Sequence, residues 1–241
     1  MDSQETVALC LPVYDRVFPK AWFAQAQMVA ELARIIPKEN LQFYKVRGLP
    51  QPHAQNFLFS SVLLMTREYG VEAVIPPGGK RADWILWVEH DSCPPADMYR
   101  LLRDKADPVE RPVMHGLSFD KVFPFAPSIW RAKTDGKSIE PIWDWQDDTM
   151  YRLAHSGTCG CLIHTTVFDR IKRPWFRMRP SEPGMPGMIP CISLSRRMHE
   201  ANIPIYGYTG CIVSHLGDEN EVNGVVSRKA YQMSQRHAQK R

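Results

Sequence analysis

The apolar positions change period repeatedly along the chain. Thr6–Val13 is an almost unbroken apolar run and predicts a strand buried on both faces, as in a parallel sheet. Lys20–Ile35 switches to helical spacing through Trp22, Phe23, Met28, Val29 and Leu32, continues to Ile36, and stops at Pro37. Leu41–Val46 predicts a second strand. Ala54–Thr66 is apolar almost all round and predicts a buried helix. Ala82–Val88 (ADWILWV) is the clearest strand and ends abruptly in Glu89-His90-Asp91-Ser92. Pro94-Pro95 then open a helix to about Arg103, since proline is tolerated in a first turn. Val113–Leu117 and Cys161–His164 predict strands, Thr166–Ile171 a short helix, and Ile192–Ala201 a longer one. Ile203–Gly207 and Cys211–Ser214 predict two more strands, the second ending at His215. Residues 120–150 are rich in Pro and Trp and predict an irregular excursion or a small antiparallel region. Residues 174–190 hold Pro174, Pro180, Pro183, Pro186 and Pro190 with Gly184 and Gly187, and predict a long loop or lid. The alternation of strand and helix over the first 117 residues predicts an α/β domain with an open, mostly parallel sheet flanked by helices.

Composition adds bounds. With 241 residues, 44% hydrophobic and 23% charged, the chain has ordinary globular usage and room for a substantial core. Disorder and a disulfide-dense mini-domain are excluded. The net charge of +4 is uneven: residues 226–241 carry five Lys/Arg and no Asp/Glu, leaving −1 for residues 1–225. The expected organisation is therefore one domain over 1–225 and a basic tail over 226–241. The polar start MDSQETVALCLPVYD predicts no signal peptide, and no apolar run approaches a membrane span. The six cysteines have no zinc spacing; Cys159 and Cys161 read as packing residues. A cytoplasmic protein without a membrane anchor is the expectation.

In open α/β sheets ligands bind beyond the carboxyl ends of strands, which is where Glu89 and Asp91 lie. Two residues apart, they face the same side of an extended chain, and His90 faces away. Paired hard oxygen ligands suit Mg2+ or Mn2+, above all when a diphosphate completes the shell. The alternative is a helix N-cap by Asp91 or Ser92.

Taken in order, VALCLPVYD, GLPQPHAQN, ADWILWVEHDSCPPADMYRLL, HSGTCGCLIHTTVFDRI and SRRMHEANIPIYGYTGCIVSHLG resemble the GT-A-fold nucleotide-sugar glycosyltransferases, close to family 2. The resemblance implies a GT-A-like domain and a D-x-D-like metal motif at Glu89-His90-Asp91. It also implies a late histidine ligand at His215, so that Asp91, His215 and Glu89 would hold Mn2+ or Mg2+. Pro12, Tyr14 and Asp15 would lie beside the nucleotide. Asn56 would face the donor where relatives show Arg-Asn, and Gly157 and Gly160 would face donor sugar and acceptor. Tyr14 could stack on a base. Lys80 and Arg81 could offset diphosphate charge or be solvated. Trp130, Trp143 and Trp145 could form a stacking platform or fill the core.

Inverting relatives carry Glu-Asp just before the helix that reads SRRMHEANIP, and the Asp is the general base. The corresponding residues here are Pro190-Cys191. Glu182 is the nearest substitute as a catalytic carboxylate; the other openings are a retaining mechanism or lost activity. The basic tail with Arg228 and Lys229, and the cluster around Arg173 and Arg177 with Trp175 and Phe176 between them, would suit a polyanion, with DNA as one acceptor. The expected function is metal-dependent transfer of a sugar from a nucleotide-sugar donor to an acceptor hydroxyl. A non-catalytic nucleotide-sugar or nucleic-acid binding module and a nucleotidyltransferase are the alternatives.

Overall fold

The computed structural model describes residues 5–14, 18–134, 138–179, 189–217 and 221–238. In chain order its elements are β1 (Val7–Val13), α1 (Pro19–Ile35), β2 (Leu41–Arg47), α2 (Gln51–Leu64), β3 (Val71–Val74), β4 (Trp84–Val88), β5 (Ser92–Cys93), α3 (Met98–Arg103), β6 (Val113–Leu117), β7 (Ile129–Ala132), β8 (Ile139–Pro141), β9 (Met150–Leu153), β10 (His155–Ser156), β11 (Gly160–His164), α4 (Val167–Arg170), α5 (Pro190–Glu200), β12 (Ile205–Ile212), β13 (Ser214–Leu216), β14 (Glu221–Val222) and α6 (Gly224–Ala238).

The central sheet has eight strands in the order β3-β2-β1-β4-β11-β6-β12-β9. β2, β1, β4, β6 and β12 point one way, and β3, β11 and β9 the other. The sheet is thus α/β and open, but mixed. β11 is antiparallel to β6, and among the described residues of the intervening segment no helix crosses over between them. That segment forms the small antiparallel sheet β10-β7-β8 and edge strand β9.

β4 shows why a uniformly apolar strand belongs at the centre. Ile85 and Trp87 join the core under α2, while Trp84, Leu86 and Val88 join the core with Met28 and Leu32 of α1 and Met98 and Leu102 of α3. Both faces are buried, so no polar alternation survives in its sequence. α2 is apolar over most of its surface for a related reason. The sheet covers one side, and Phe168, Trp175 and Phe176 cover another. It starts at Gln51, ahead of the periodic pattern, because Pro52 falls in the first turn where a missing N–H costs nothing. α3 starts only at Met98, since Ser92–Cys93 is drawn into β5 by pairing with β13. The strand expected at Cys211–Ser214 is divided: Cys211 and Ile212 end β12, and Ser214 opens β13.

The basic segment begins inside α6. Within that helix Ser227 and Ala230 are buried, Tyr231 stacks on Trp143 at 4.4 Å, and Ser227 Oγ donates to Phe125 O at 2.6 Å. Among the described residues no helix is long and apolar enough to cross a membrane.

Candidate functional site

The aligned strands β1, β4, β6 and β12 end at one edge of the sheet, where crevices form in such folds. A cavity of about 390 Å³ lies there, bordered by Tyr14 beyond β1, Glu89, His90 and Asp91 beyond β4, Asp120 and Lys121 beyond β6, Gly157–Cys159 ahead of β11, and His215. The acidic turn is fixed by its backbone. The buried Gln25 of α1 donates through Nε2 to Glu89 O at 2.9 Å and to Ser92 O at 3.1 Å. Leu216 N donates to Asp91 O at 2.9 Å, and β13 pairs with β5 so that His215 sits opposite Ser92. Short strands after β12, rather than a main-sheet strand end, therefore bring His215 to the acid.

Asp91 Oδ1 is 3.3 Å from His215 Nε2, and Lys121 Nζ donates to Asp91 Oδ2. Burial would raise the Asp91 carboxyl, but His215 and Lys121 hold it well below the ordinary carboxylate range. Burial likewise opposes charge on His215, while Cys159 and Asp91 raise it above the ordinary imidazole range. His215 Nδ1 lies 2.7 Å from Phe119 O and donates its proton there. Nε2 is left facing a carboxylate oxygen, and two acceptors at that distance need a proton or a cation between them. A carbonyl on the far nitrogen is also what orients metal-binding histidines.

Glu89 has different company. Its Oε1 accepts from Trp87 Nε1 at 3.0 Å and from Thr158 Oγ1 at 3.1 Å. Burial, with Asp91 adding repulsion, pushes it up to about 7. Among the described residues no group of three or more His, Cys, Asp or Glu side chains is arranged to hold a metal. Asp91 and His215 are therefore a two-donor set. They suit a divalent cation that draws the rest of its shell from a bound diphosphate and water. In their present arrangement His215 and Lys121 both face the Asp91 carboxylate.

Lys121 Nζ occupies a carboxylate oxygen that a bound cation would use. Lys121→Ala is expected to tighten Mn2+ binding by about two- to fivefold, as the loss of one partly exposed ion-pair partner would. Titration calorimetry reads this directly, and unchanged or weaker binding would show that Lys121 does not guard the carboxylate.

Other expected residues fall into two groups. Tyr14, Gly157 and Trp130 border the cavity, and a Cβ on Gly157 would meet Ser128 Cβ at 3.0 Å. His90 does not turn away: it borders the cavity and meets the Tyr14 ring edge-on at 5.0 Å. Cys159 is there too, with Sγ 3.7 Å from His215 Nε2. Pro12, by contrast, is buried within β1 opposite Val46. A Cβ on Gly160 would lie 2.9 Å from both Met98 Cε and Val213 Cγ2, so its glycine serves packing between strand and helix. Arg81 reaches Thr165 O and Asp169, Lys80 pairs with Asp83, Trp143 stacks on Tyr231, and Trp145 is buried beneath Arg228. Asp15 and Glu182 lie outside the described residues.

Asn56 braces the segment at Trp175 and Phe176. Its Oδ1 accepts from Trp175 N at 2.9 Å and Phe176 N at 3.2 Å, and its Nδ2 donates to Phe176 O at 2.8 Å. Asn56→Ala strands these backbone groups and is expected to cost about 1–3 kcal/mol in urea unfolding while leaving nucleotide affinity unchanged. Of the cations read as polyanion contacts, Arg173 donates to Ser60 Oγ, approaches Glu68 at 3.7 Å and lies over Trp175. Arg228 pairs with Asp147 at 2.8 Å and lies 3.7 Å from the Trp145 ring centroid. Both are engaged with neighbouring side chains while remaining exposed. Arg177 and Lys229 are exposed.

Asp120 and Lys121, three and four residues past the end of β6 at Leu117, lie outside any periodic run. At the start of α5 the cavity wall carries Ile189 and Cys191, with no carboxylate.

No family model matches the chain, and no curated protein matches it. A solved structure with a similar fold is A197 from STIV, at a TM-score of 0.58 and 12% identity, covering 89% of this chain and 87% of that one. At this identity the likeness shows a shared fold alone.

Proposed function

We propose that the protein is a nucleotide-sugar-dependent glycosyltransferase that works with Mn2+ or Mg2+. The observation that carries this reading is the approach of His215 Nε2 to Asp91 Oδ1 at the carboxyl edge of the sheet, inside a cavity also bordered by Glu89 and Tyr14. Asp91 and His215 would hold the cation. When bound, it supplies charge neutralisation to the departing nucleoside diphosphate. The chain does the rest. Phe119 O orients His215, Gln25 fixes the acidic turn, and Tyr14 borders the space a nucleotide would take. Glu89 is anchored by Trp87 and Thr158 and suits a hydrogen bond to a ribose hydroxyl better than a second metal bond.

The experiment is a panel of nucleoside diphosphate sugars with Mn2+, matched EDTA controls, and water, free sugars and DNA carrying hydroxylated bases as acceptors. Release of nucleoside diphosphate that EDTA abolishes is expected with one class of donor. Neither binding nor release with any donor would overturn the reading. Pyrophosphate release from nucleoside triphosphates would assign a nucleotidyltransferase instead.

A further inference from the structure

Transfer to a hydroxyl in one displacement needs a group that takes the acceptor proton, and Ile189 and Cys191 at the start of α5 offer no carboxylate. We propose that Asp120 is the general base, acting on the acceptor hydroxyl inside the cavity. This inference rests on the glycosyl-transfer reading above.

Among the described residues three carboxylates border the cavity: Glu89, Asp91 and Asp120. The first two are 5% exposed and already engaged, Glu89 by Trp87 and Thr158, and Asp91 by His215 and Lys121. Asp120 is exposed at the cavity wall, with the Ser128 hydroxyl beside it. It is the carboxylate an incoming hydroxyl can reach.

Its backbone is fixed while its side chain is open. Phe119 bridges Pro127, Asp120 N donates to Ala126 O at 2.8 Å, and Ser128 N donates to Ser118 O at 2.8 Å. The residue on each side is tied to the cation site, Phe119 through His215 and Lys121 through Asp91. Asp120 is thus held in register with the place where a diphosphate would sit. The cavity wall shields one side of the carboxyl and raises its proton affinity above the ordinary carboxylate value, in spite of His215 and Ser128, while the residue keeps its access to solvent. A stronger base results.

The step balances as follows. The acceptor O–H proton passes to the Asp120 carboxylate as the acceptor oxygen bonds to the anomeric carbon. The bond from that carbon to the diphosphate oxygen breaks, and its electron pair leaves with the nucleoside diphosphate. A single displacement inverts the anomeric configuration.

The test uses the full chain with Mn2+ and a donor that the wild type turns over. Asp120→Asn and Asp120→Ala are expected to keep nucleoside diphosphate affinity and to lose about 10²–10⁴-fold in turnover. Sodium formate is expected to restore part of the rate in Asp120→Ala and to leave the wild type unchanged, which a merely structural residue would not show. Proton NMR is expected to show an inverted product. Wild-type turnover matched by Asp120→Asn, or a retained anomeric configuration, would overturn Asp120 as base and leave the transfer reading standing. A wild type that neither binds nor turns over any donor would overturn both.

Discussion

Asp91→Asn is expected to lower cation-dependent release of nucleoside diphosphate by about 10²–10³-fold, the usual loss when one preorganised electrostatic group is removed from an excluded site. The substitution keeps size and shape but removes the charge. Asp91 Oδ1 faces His215 Nε2 at 3.3 Å and Oδ2 takes Lys121. With a neutral amide, only one strong donor remains for the cation. Calorimetry with Mn2+ should show weak or absent binding, and excess Mn2+ should recover only part of the rate. The fold should survive, because Lys121 is partly exposed and can turn to water, while the turn stays anchored by Gln25 and Leu216 through backbone oxygens that the substitution does not touch. Wild-type-like turnover in Asp91→Asn would remove this site from the mechanism.

The acidic strand end was legible in sequence because two local signals coincide there. A run buried on both faces must be central, and polar residues directly after it must lie at the sheet edge. β3 was not legible. It is a four-residue edge strand whose pairing with β2 is a long-range event. The same holds for β5, β13 and β14, whose two or three residues carry no period. His215 was read as a strand end, and its real setting depends on a β13 pairing that no local pattern encodes. The bracing by Asn56 was not legible either, because its bonds reach 119 and 120 residues along the chain. Asp120 and Lys121 were within reach, because the rule that singled out Glu89 and Asp91 applies equally to the residues after Val113–Leu117.

Phe59→Ala is expected to cost about 3–5 kcal/mol, the range for truncating a large aromatic in a packed core. Phe59 is 1% exposed, and its ring centroid lies 5.1 Å from Trp87, 4.8 Å from Phe168 and 5.1 Å from Phe176. It therefore joins β4, α4 and the 175–176 segment in one cluster. Collapse of that cluster to fill the cavity is hindered because Phe176 is held through its backbone by Asn56. Against a typical domain stability of about 5–15 kcal/mol, such a loss is a large fraction of the whole. The effect should also reach the site, since Trp87 both packs on Phe59 and donates to Glu89. Equilibrium urea unfolding gives the stability, and a midpoint shift without a change in slope is expected. Phe59→Leu should recover most of the loss by refilling the volume. A cost below about 1 kcal/mol for Phe59→Ala would mean that the cluster repacks freely. Its other rings, and with them the support beneath Glu89, would then not depend on α2.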